Sequence, residues 1–122
     1  MAVRGLGCPI ALQLTGGHRG DAPQAADLIA GRKAELVLAD AAYDGDHLRS
    51  LIAAMHATAV IPNNPTRAAK HPFDRQLYKE RHLIECCFSK LKQFRRVATR
   101  YEKTARNYLA VVILAATILW LR

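Results

Sequence analysis

The sequence predicts an α/β fold, a sheet joined by crossover helices, and three observations carry that prediction. Brief apolar runs of strand length recur at residues 8–14, 35–39 and 59–61. Between them lie segments with apolar residues at helical spacing, and this alternation is the pattern of a parallel-type sheet with crossovers. Past residue 72 the strand runs stop and two long helical segments follow. Half of the 122 residues are apolar, which excludes a disordered tail. A chain of this length is one small domain, or a piece of a larger one, with material for a real core.

Cys8 to Leu14 reads as a short strand, closed by the turn Thr15-Gly16-Gly17. Asp21 precedes Ala22-Pro23, and Pro23 suits the first turn of a helix running to about Ala30, where its missing N–H is no loss. Glu35 to Ala39 ends at Asp40 and has the continuous apolar character of a buried parallel strand. Asp44 and Asp46 are placed to cap the next helix, Gly45 to Met55. That helix puts Leu48, Leu51, Ile52 and Met55 on its apolar side. Ala59-Val60-Ile61 is a further strand, stopped by Pro62. Residues 63–72, with Pro65, Pro72 and several cations, form a loop into a helix that ends near Arg95-Arg96. A last helix, Thr104 to Leu121, is apolar enough to be buried, and its apolar part is shorter than the roughly 20 residues of a membrane span. No repeat occurs, and no linker divides residues 1–122.

Charge is unevenly placed. The net charge is +8, and residues 67–106 hold 12 basic and 4 acidic side chains, the whole of that excess. Residues 1–66 hold 5 basic and 6 acidic. A cationic half beside a neutral half is the footprint of a polyanion binder. The three cysteines, Cys8, Cys86 and Cys87, are odd in number and lack the spacing of a zinc site. They fit a reducing cytosol. The opening Met1 to Gly5 carries no apolar run of the kind a secretory signal needs. The five histidines show no metal-ligand spacing either.

The pattern with chemical content is Tyr78-x-x-Arg81-x-x-x-Glu85-x-x-x-x-x-x-Lys92. On a continuous α-helix these four positions fall within an arc of roughly 60°. One carboxylate is then flanked by two cations and a phenol, with Leu77, Leu83, Ile84, Cys87, Leu91 and Phe94 on the opposite, core-facing side. Such a front suits a site that grips a phosphate and a metal ion together. A surface helix laced by ion pairs, Arg81 with Glu85, would show the same residues. Asp40 stands where a strand gives way to a loop, the usual place for ligand groups in open α/β sheets, though a cap or turn role fits it equally.

These segments resemble those of DDE-class insertion-sequence transposases of the IS4-like type. Leu38-Ala39-Asp40-Ala41-Ala42-Tyr43-Asp44 resembles the block around that family's second catalytic aspartate. Tyr78 to Glu85 resembles the block around its catalytic glutamate, continued by Lys90 to Arg96 and Arg100 to Tyr108. Leu14-Thr15-Gly16-Gly17 is similar to the loop after an early strand. The resemblance implies an RNase H-like fold, with residues 1–122 as one partial catalytic domain. It also implies that Asp40 and Glu85 are catalytic, metal-holding members of the acidic triad. Two Mg²⁺ (or Mn²⁺) ions would complete the centre in the full enzyme. Tyr78, Arg81, Lys92, Arg95 and Arg96 would face DNA.

One departure matters. The first triad aspartate should lie on a strand shortly before Cys8 to Leu14, and by register that position holds Arg4. No acid precedes Asp21, so the fold is expected to be truncated there, with the first strand and its aspartate missing. The expected function is therefore that of a transposase acting on double-stranded DNA, at terminal inverted repeats and target, but incapable of cleavage alone. The alternative is a non-catalytic DNA-binding remnant or regulator of transposition. Expected partners are a second copy or an upstream-frame product, with no membrane; the expected place is the cytoplasm, at the nucleoid.

Overall fold

Hydrophobic periodicity resolves into two separate cores. The computed structural model describes residues 1–122 and divides into two compact units, Gly20–Arg81 and the pair of segments Met1–Arg19 and His82–Arg122.

In the Gly20–Arg81 unit, a 3-10 turn at Ala22–Gln24 carries Pro23 and leads into α1 (Ala25–Ile29). β3 (Leu36–Leu38) and β4 (Thr58–Val60) pair in parallel with Leu36 opposite Thr58 and Leu38 opposite Val60. They are joined by α2 (Asp46–Ala54), so the expected strand–helix–strand crossover is present. Ala25, Leu48, Ile52 and Ile61 form the core, with Ile29, Val37 and Tyr43 packed around them. The sheet has only two strands, which leaves Leu36 exposed, so β3 is half covered and not the buried strand its apolar run suggests. The unit ends in α3 (Arg75–Tyr78), capped by the Asp74 carboxylate on the N–H groups of Gln76 and Leu77 (2.8 and 3.1 Å), and a 3-10 turn at Lys79–Arg81.

In the other unit, β1 (Ala2–Val3) and β2 (Pro9–Ala11) form an antiparallel hairpin. The run from Cys8 therefore makes a shorter strand than its apolar length suggests, in a sheet of its own. The cause is local. Gly7 takes φ +75°, a conformation glycine adopts without penalty, and the Gly7 N–H donates to the Arg4 carbonyl (2.8 Å). That turn folds the chain straight back on itself. α4 (His82–Lys92), α5 (Arg95–Ala98) and α6 (Ala105–Leu121) complete the unit. Cys87, Leu91, Ala115 and Ala116 form its core, flanked by Met1, Val3, Leu12 and Phe94. Trp120 Nε1 donates to the Pro9 carbonyl (2.6 Å), pinning the end of α6 to the hairpin.

α6 departs from the expected buried helix. Val112, Ala115 and Ala116 are buried, whereas Leu114 is 63% and Leu121 82% exposed. Apolar residues surround this helix on all sides, but a unit of about sixty residues can cover only one of them. No helix is long and apolar enough to cross a membrane.

Candidate functional site

Asp40 follows β3 at the end of the parallel pair, with an extended backbone. Its carboxylate accepts the Ala42 N–H (3.0 Å) and so caps a 3-10 turn at Ala41–Tyr43. The cap role open in the sequence is thus one the residue performs. A carboxylate has acceptor sites for more than one donor, so this bond leaves room for a ligand. Tyr43 packs beside it: burial first, then the charges of Asp21 and Asp40, push its phenol above the usual tyrosine value.

Asp44 is not the helix cap the sequence suggests. Gly45 holds the N-cap position of α2 without a side-chain bond, and Asp46 is the first helical residue. The Asp44 side chain is 0% exposed and gathers three partners: Arg49 Nε (2.6 Å), Arg67 Nε (2.9 Å) and the Asn64 N–H (2.6 Å). Arg67 also pairs with Asp46 (2.7 Å), and Arg49 donates to the Ile61 carbonyl (2.9 Å). Burial alone would raise the Asp44 carboxyl; the Asn64 amide and the two guanidiniums override that and hold it well below the ordinary carboxylate value of 3.8. This cluster ties the loop after β4 to the loop after β3, four residues from Asp40. Sequence reasoning missed it because Arg67 and Asn64 lie 20 and more positions away.

The segment holding Tyr78, Arg81, Glu85 and Lys92 is not one α-helix. The 3-10 turn at Lys79–Arg81 interrupts it, so the even 100° spacing fails across the break. Tyr78 and Arg81 belong to the Gly20–Arg81 unit, and Glu85 and Lys92 to the other. In a 3-10 turn positions three apart eclipse, and the Arg81 guanidinium accordingly lies 5.6 Å from the Tyr78 ring centre. Phe73 meets the same ring edge-on at 5.2 Å. On α4, Glu85 and Lys92 are both exposed, seven residues apart on one face, while Cys87 and Leu91 are buried behind. The core-facing reading of Cys87 and Leu91 thus holds. Arg95 and Arg96 start α5 and are exposed, and Arg96 pairs with Glu102 (3.2 Å).

Two divalent ions need more acids than this. No group of three or more His, Cys, Asp or Glu side chains is gathered to hold a metal. Arg4, the residue in the register position of a first aspartate, stacks over Trp120 at 5.3 Å. The residues present do not by themselves fit a two-metal centre.

A family model described as a transposase DDE domain matches residues 1–120. The chain is 51% identical over 122 residues to a Brucella ovis protein named "Putative transposase for insertion sequence element IS6501". That alignment covers 98% of this chain and 94% of the relative. No solved structure matches the chain significantly.

Proposed function

This chain belongs to the DDE-domain transposase family, and on that premise we propose that it serves an insertion sequence by gripping DNA ends and supplying two of three catalytic carboxylates. The match along residues 1–120 carries this reading. The family works with a divalent metal. In the proposal Asp40 and Glu85 are this chain's contribution to holding it, as Mg²⁺ or Mn²⁺, within an RNase H-like catalytic domain of which residues 1–122 are a part. The third carboxylate comes from outside these residues, because Arg4 cannot ligate a cation and its charge would oppose one. Tyr78, Arg81 and Lys92 face DNA, with Arg95 and Arg96 beyond them. Terminal inverted repeats and target are the substrates, and a second copy or an upstream-frame product is the partner, at the nucleoid.

A regulator that occupies DNA ends without cutting them is the second reading. The basic Arg4, at the position where the family's register expects the first aspartate, favours it. One experiment separates the two. Asp40→Asn and Glu85→Gln are tested for strand cleavage in the presence of a segment carrying the missing aspartate. Under the catalytic reading both abolish cleavage and leave DNA binding in place. Cleavage that survives both substitutions removes Asp40 and Glu85 from the chemistry.

A further inference from the structure

The cations of residues 67–106 differ in what already holds them. Arg67 is tied to Asp44 and Asp46, and Lys70 Nζ to the carbonyls of Asn64 and Pro65 (3.0 and 3.2 Å). Between α5 and α6 the situation is reversed. The Tyr108 hydroxyl donates to the Val97 carbonyl (3.0 Å) and closes the turn, and the Thr104 hydroxyl accepts the Asn107 N–H (3.2 Å) to cap α6. Arg100 lies 5.1 Å from the Tyr108 ring centre. Around this closure stand Arg95, Arg100, Lys103 and Arg106, all exposed, with Tyr101 52% exposed among them.

The stretch has a single acid, Glu102, and its side chain is only 10% exposed. One oxygen takes Arg96, and the other is enclosed with no partner. The turn therefore shows cations to solvent with its carboxylate folded inward. The start of the 17-residue α6 adds positive potential of its own. Like charges on a fixed turn repel one another, and a polyanion relieves that repulsion.

We propose that residues 95–106 form the surface that docks the DNA phosphate backbone, with Arg95, Lys103 and Arg106 as phosphate contacts. Glu102 holds Arg96 in place on the turn. The proposal rests on the DNA-binding reading above and extends its Arg95 and Arg96 contacts over the whole turn to Arg106. Contacts to phosphate position a duplex and carry no sequence information of their own, so binding through these cations is sequence-tolerant and strongly salt-dependent.

The test is fluorescence anisotropy with a labelled duplex of arbitrary sequence, across a salt series. The intact chain binds, and the triple variant Arg95→Gln, Lys103→Gln, Arg106→Gln lowers the slope of log affinity against log salt by about 3, one per lost phosphate contact. A control triple, Arg19→Gln, Arg32→Gln, Lys33→Gln, removes equal charge from exposed sites elsewhere and changes the slope by less than about 1. Should the turn triple lose its helical circular dichroism, the single Lys103→Gln variant carries the test, with a slope change of about 1. Equal losses in both triples, or an unchanged slope in the turn variant, overturn the assignment while DNA binding stands. An intact chain that binds no duplex overturns the DNA reading itself. Capture by phosphatidylserine vesicles in place of duplex does the same.

Discussion

Asp44 holds together parts of the chain that lie far apart in sequence. Its carboxylate joins Arg49 on α2 to Arg67 and Asn64 on the following loop. Removing it with Asp44→Ala leaves two guanidiniums without their acceptor, and the expected fall in melting temperature is roughly 5 °C or more. A melting temperature within 1 °C or so of the parent's would show the cluster to be idle. A carboxyl held below its ordinary value contributes stability at neutral pH, and that contribution fades as pH falls below 3.8 toward the lowered folded value. The gap in melting temperature between parent and Asp44→Ala should therefore be constant from pH 7 to about 5 and shrink below about 4, read by calorimetry at each pH. Little of this cluster was legible in the sequence. Asp44 and Asp46 sit where caps usually sit, and local spacing cannot report a partner on a later loop. Cys87 and Leu91 were legible, because helical periodicity alone places them in the core.

At the scale of elements, the parallel β3–β4 pair with α2 between was readable from alternating apolar runs, and the hairpin was not. The run from Cys8 looks like a strand of any sheet; what sends it back against Ala2–Val3 is the positive φ of Gly7. Gly7→Ala would bring a side chain to a backbone angle that costs about 1–2 kcal/mol, and its Cβ would come to rest 3.7 Å from the Leu83 carbonyl, on α4. The 3-10 turn at Lys79–Arg81 was likewise hidden, since helix propensity is high on both sides of it. α6 depends on its cap. Thr104→Ala should cost about 1 kcal/mol in urea unfolding, with faster amide exchange in the first turn. Unchanged exchange at Asn107 would mean that the Thr104 hydroxyl does not hold that N–H.

For the molecule as a whole, the uneven charge was visible at once, and so was the family, which a transposase DDE-domain model and a named transposase relative both match. The division into two compact units was not visible, because no change of composition marks Arg19 or Arg81. Asp40 and Glu85 lie in different units, and Arg4 stacks over Trp120. We propose that this chain supplies part of a transposase centre and does not cut DNA alone. The most direct test incubates purified chain and Mg²⁺ or Mn²⁺ with a labelled duplex carrying the element's terminal repeat, with strand nicking read on a denaturing gel. The expected result is a shifted, salt-sensitive complex and intact strands. Nicking by the chain alone, abolished by Glu85→Gln, would contradict it and show that two carboxylates suffice.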